Sequence, residues 1–211
     1  MNALLKKSIA EFLGVTVFLT AITASTTDFK TGALAIALGL MVLITGPVSG
    51  GHLNPAVSLY FYIKREITLG TLLAYVGAQF AGALVGSHLG KFLTGSQISG
   101  FAAPGDNLPL SYLAGEVVAT AGLVWVIATL VNNKLGNLIP LAVAAWVFSA
   151  ANFTPTGAQA NPAVTLGVMA QGMASNQGVS LMVAEILGLL IAVFILVILA
   201  PKAKKVAAKK K

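Results

Sequence analysis

Cysteine is absent from this chain of 211 residues, so it holds neither a disulfide framework nor a thiolate for catalysis or metal binding. Charge is scarce too: 9% of residues are charged, against roughly 25% in a soluble domain. Two histidines, His52 and His88, and six carboxylates form no cluster at metal-ligand spacing. No serine stands in a nucleophile elbow or beside a candidate base, and no GxxxxGK(S/T) phosphate loop occurs. The expectation is therefore no enzyme, no cofactor and no metal.

What remains is a chain that is 57% hydrophobic with mean hydropathy +0.89, for which a bilayer is the natural solvent. Six apolar stretches, 8–25, 32–49, 68–90, 112–131, 138–153 and 179–200, approach the roughly 20 residues a helix needs to cross the hydrocarbon. The first, after Lys6 and Lys7, is too long and lacks the clean core of a cleavable signal, so it is read as a retained span.

A net charge of +7 raises the question of nucleic acid, but the distribution of that charge answers it. With the N-terminus in the cytoplasm and six spans, Lys6, Lys7, Lys64, Arg65, Lys134 and the six lysines of the 201–211 tail are cytoplasmic, eleven of the thirteen basic residues. Only Lys30 and Lys91 fall outside, the bias expected of a membrane protein with both termini inside. The tail reads as a solvated topology anchor rather than a specific site for anionic lipid.

The chain also repeats itself. "GGHLNPAVSL" at 50–59 is answered by "GAQANPAVTL" at 157–166, and Glu11 in "AEFLG" by Glu116 in "AGEVVATAG". Halves of about 1–105 and 106–200 each read as an acid-bearing span, a second span, a break at Asn-Pro-Ala and a third span. Three spans is an odd number, so the second half enters from the opposite face: an inverted repeat within one domain, 1–211, whose matching discontinuities mark the transport site.

Each break follows from backbone chemistry. Gly50, Gly51 and Gly157 permit turns, while Pro55 and Pro162 suit a first helical turn capped by Asn54 and Asn161. Residues 54–63 and 161–171 then form half-helices of roughly 15 Å, one from each face. Non-helical backbone at that depth must be buried in protein or line a wet cavity. There the two dipoles and the asparagine amides would repel cations and orient an acceptor such as water.

Two boxes in register with the halves, Asn54-Pro55-Ala56 and Asn161-Pro162-Ala163, a glutamate in each first span and "AYVGAQFAGALVG" in the third resemble the aquaporin, or major intrinsic protein, family over about residues 8–200. The resemblance implies an all-α membrane protein with six transmembrane helices and two re-entrant half-helices. It also implies a homotetramer of separate pores for water or small neutral solutes. It makes Asn54 and Asn161 the central donors and His52 the loop histidine. Glu11 and Glu116 become braces for the re-entrant backbone, and their burial within spans requires such pairing.

The sequence departs from that family at the filter, where an arginine usually follows the second box and here Val164 stands. Counting back from the asparagines places the other filter positions at Leu34, Ser149 and Ala158, so the expected constriction is Leu34, Ser149, Ala158 and Val164. Thr165 replaces the aspartate of glycerol-conducting members, and the resemblance assigns no role to Glu185. A filter without a guanidinium is wider and lacks one electrostatic barrier, while Leu34 and Val164 favour dewetting. The expected solutes are water and slightly larger neutral molecules such as hydrogen peroxide, ammonia, urea or glycerol. Two rivals share parts of this pattern: a coupled secondary transporter, which would need a titratable group at the boxes, and a closed, structural or adhesive member of the same fold. His88, among Gly82, Gly86 and Gly90, is expected to pack between helices, while for Trp125, Trp146 and Tyr112 the sequence leaves open whether they sit at the membrane interface or pack between helices.

Overall fold

The computed structural model describes residues 2–25 and 28–200; the lysine tail assigned above to topology lies outside them. Among the described residues six helices are long and apolar enough to cross a membrane: α1 (Ala3–Ala24), α2 (Lys30–Ser49), α4 (Leu69–Leu93), α5 (Leu110–Asn132), α6 (Ile139–Phe153, entered through a 3-10 turn at Gly136–Leu138) and α8 (Ser175–Leu199). The two short helices, α3 (Pro55–Ile63) and α7 (Pro162–Met169), begin at the Asn-Pro-Ala boxes.

Glycine sets the closest helix packing. A Cβ on Gly82 or Gly86 of α4 would lie 2.5 Å from the Phe12 carbonyl or 2.4 Å from the Thr16 carbonyl of α1, so only glycine admits this approach. Gly188 of α8 meets the Val117 carbonyl of α5 at 2.5 Å in the same way. The α1·α4 and α5·α8 pairs thus occupy corresponding places in the two halves. The core cluster draws on both, with Phe18 and Leu19 of α1 packed together with Leu123 and Ile127 of α5. Trp146 lies between helices: its indole N–H donates to the Ala119 carbonyl at 2.8 Å, and its ring fills the space over Gly122. His88 is half-buried, with Nδ1 2.7 Å from the Leu84 carbonyl.

The long helices are apolar around most of their circumference, and Leu73, Phe92, Leu141, Val183, Phe194 and Val197 are all more than 60% exposed. Water would not tolerate such a surface, but hydrocarbon does. One feature was not expected from the sequence: two short strands, β1 (Gly100–Ala102) and β2 (Gln171–Ala174), pair in parallel. Asn176 and the Gly105 backbone exchange hydrogen bonds in both directions beside them. The segment joining the two halves is thereby tied to the chain that follows α7.

Candidate functional site

Asn54 and Asn161 do three things at once. Each has extended backbone, and each side-chain oxygen caps its own half-helix, from the Ala56 N–H at 2.8 Å and the Ala163 N–H at 2.9 Å. Each amide also reaches across: Asn54 Nδ2 donates to the Ala160 carbonyl at 2.8 Å, and Asn161 Nδ2 to the Leu53 carbonyl at 2.9 Å. Pro55 and Pro162 fill the first helical positions, where no N–H is required. The N-termini of α3 and α7 are therefore tied to each other by side chain to backbone bonds.

The backbone entering each box is strained in matching places. Leu53 and Ala160 both take left-handed conformations, at φ 49° and 48°, and Ala158 does so at 53°. Such residues cost of order 1–3 kcal/mol each and persist only where their surroundings over-determine them. Two glutamates supply that determination. Glu11 accepts from the His52 N–H at 3.0 Å, the Leu53 N–H at 2.6 Å, the Ser49 hydroxyl at 2.5 Å and Gln79 Nε2 at 2.8 Å. Glu116 accepts from the Gln159 N–H at 3.0 Å, the Ala160 N–H at 2.6 Å and the Thr156 hydroxyl. Both carboxyls are fully buried, so these bonds are what make their burial tolerable.

Second-rank partners also correspond. Ser58 of α3 bonds His52 Nδ1 at 3.1 Å and receives Gln79 Nε2 at 3.0 Å. Thr165 of α7 lies 2.6 Å from Gln159 Oε1 and 2.7 Å from Glu185 Oε1. Glu185 also accepts from the Asn161 N–H at 3.1 Å, which gives this residue a place in the site that the sequence did not assign. Its Oε2 is buried with no partner among the described residues, as is Gln79 Oε1. His52 is further fixed by stacking on Phe61, with centroids 4.5 Å apart, and by the edge of Tyr75.

These elements enclose a cavity of about 400 Å³. Its lining includes Lys30, Thr31 and Leu34 on the first turns of α2, Asn54, Asn161 and the 156–160 backbone, and Phe61 and Ile139. Each asparagine amide has two hydrogens, of which one is spent on the opposite loop, leaving one N–H on each for a guest. Leu34, Ala158 and Val164 of the expected constriction line the cavity. Ser149 does not, and that assignment is corrected: Ser149 is exposed, and Val143 and Val147 of α6 face the lumen in its place. The reason is helical phase, since two residues at about 100° each turn a side chain to the opposite face. A fixed count back across a loop does not determine that phase.

The family described as Major intrinsic protein matches residues 1–155, a stretch that ends before the second box. A probable aquaporin of the TIP type from Medicago truncatula is 37% identical over 141 residues, 64% of this chain and 56% of that protein. Aquaporin TIP1-1 of Arabidopsis thaliana is 33% identical over 192 residues, 77% of this chain and 74% of that one. The aquaglyceroporin AqpS of Rhizobium meliloti (strain 1021) is 36% identical over 136 residues, and this chain spans 56% of its length. Among solved structures, the aquaglyceroporin from Plasmodium falciparum aligns with a TM-score of 0.70 over 92% of this chain and 95% of that one, at 23% identity. That likeness is one of fold.

Proposed function

Because the chain belongs to the major intrinsic protein family, we propose that it forms a passive transmembrane channel for water and small uncharged solutes. The observation that carries this reading is that Asn54, Asn161 and the N-termini of both half-helices open onto one shared cavity. Donors at that point pair with a water or hydroxyl oxygen, while two positive half-helix ends repel cations.

The constriction, on this reading, is formed by Leu34, Ala158 and Val164 with Val147, and it is almost wholly apolar. Thr31 and Thr156 are the hydroxyl-bearing residues of the lining, and the Thr156 hydroxyl is committed to Glu116. An apolar ring without a fixed charge passes water by intermittent wetting, and it penalises a partly apolar solute less than an ion. The proposed solutes are therefore water together with hydrogen peroxide, ammonia, urea or glycerol. The channel is proposed to assemble as a homotetramer with one pore per protomer. It would lie in the plasma membrane with both termini cytoplasmic, as the basic-residue bias favours.

Stopped-flow light scattering on proteoliposomes tests the reading. Permeability to water and at least one of these solutes is expected to exceed that of protein-free liposomes; values no greater for every solute would remove the channel reading.

A further inference from the structure

The mouth of the cavity at the start of α2 carries one cation. Lys30, the first residue of α2, lines the cavity one turn from Leu34 on the same face, and among the described residues no acidic residue lines it. Lys30 is exposed, as is Asp28 two positions before it in the chain. The placement is locally unfavourable. The positive end of a helix disfavours a cation, and α2 starts without a side-chain cap. Such departures from a local rule concentrate at functional sites.

We infer that Lys30 is the specificity-determining charge of this pore, an ammonium at its mouth that excludes small cations while the apolar constriction below admits uncharged solutes. The inference rests on the channel reading and extends it to one residue. Two barriers then act in series. At Leu34 and Val164 the penalty is dehydration, which costs an ion far more than a neutral solute. At Lys30 it is Coulombic and acts before the ion is stripped of water. At this exposed mouth, a unit charge roughly 10 Å from the path, at the effective dielectric of about 20 typical near a protein surface, lowers local cation occupancy by about tenfold. A neutral solute has no such term.

The test uses the full-length protein in phosphatidylcholine liposomes, comparing wild type with K30Q, K30R and K30E. Glycerol and water flux are read by light scattering, and proton and sodium flux by entrapped dyes. At about 10 mM salt, K30Q is expected to raise cation flux about tenfold and K30E further. K30R should stay at the wild-type level, each cation flux being read as a ratio to neutral flux in the same sample. Raising salt to about 1 M shortens the screening length from roughly 30 Å to 3 Å and should close the gap in proton flux between K30Q and wild type. Unchanged cation flux in K30Q with neutral flux intact would overturn the role of Lys30 alone, as would a gap indifferent to salt or a larger change in neutral than in cation flux. Absence of neutral flux in every sample, wild type included, would remove the channel reading and this inference with it.

Discussion

Asn54 and Asn161 are cross-bonded: each side-chain amide donates to the carbonyl of the residue that precedes the other, at 2.8 and 2.9 Å. Neither box is therefore positioned independently. Replacing either asparagine by alanine removes its cap and its cross-bond, at an expected cost of about 2 kcal/mol. The double variant should cost less than the two single ones together, because removing either side already frees the opposite loop. Thermal unfolding of the purified protein in detergent measures this, and strict additivity would show that the boxes are not coupled.

The two glutamates make a second pair of matched predictions. Glu11→Gln and Glu116→Gln keep size but turn an acceptor into an NH₂ donor facing backbone N–H groups that have no other partner. Each should lower the apparent melting temperature in detergent and reduce solute flux, with an expected loss of about 2–3 kcal/mol for each charged-group bond set that fails. Leu53 and Ala160 would lose the support that holds their left-handed backbone. A full-flux, wild-type-stable Glu116→Gln would show that Thr156 and the 156–160 backbone hold themselves.

The corrected constriction can be tested directly. Val147→Phe should block solute flux and Ser149→Phe should leave it nearly unchanged, since Val147 faces the lumen and Ser149 the outside. Val164→Arg should narrow the range of solutes that pass. A solute panel indifferent to Val164→Arg would show that this position is not at the narrowest point.

Much of the frame was legible in the sequence because it depends on short-range chemistry. Asn54-Pro55 and Asn161-Pro162 each combine a helix-capping side chain with a proline suited to the first turn, and 107 residues separate Asn54 from Asn161. Gly82 and Gly86 advertise close helix contact by their spacing alone. Ser149 failed for the opposite reason, because its facing depends on the phase of α6 relative to a loop. The β1–β2 pairing was equally illegible, for Gly100–Ala102 and Gln171–Ala174 carry no alternating apolar pattern and meet through long-range packing. Glu185 was visible as an anomaly, yet its partners lie 20 and 24 residues away in sequence, beyond the reach of any helix-face argument.

The role of Glu185 can be read from its counterpart. Gln79 sits in α4 where Glu185 sits in α8, 106 residues apart, and each reaches the hydroxyl on the half-helix of its own half, Ser58 or Thr165. An amide thus serves in one half where a carboxyl serves in the other. What Asn161 and Thr165 require from position 185 is an acceptor oxygen, and glutamine retains one, while its NH₂ takes the place of the unpartnered Oε2. Glu185→Gln is therefore expected to keep solute flux within about twofold of wild type. Glu185→Ala leaves the Asn161 N–H without its acceptor and opens a buried gap, so it should lose most flux and about 2–4 kcal/mol of stability. Both variants are read by light scattering in proteoliposomes and by thermal unfolding in detergent. If Glu185→Gln fails as completely as Glu185→Ala, an acceptor is not sufficient and the carboxyl itself acts on the second box.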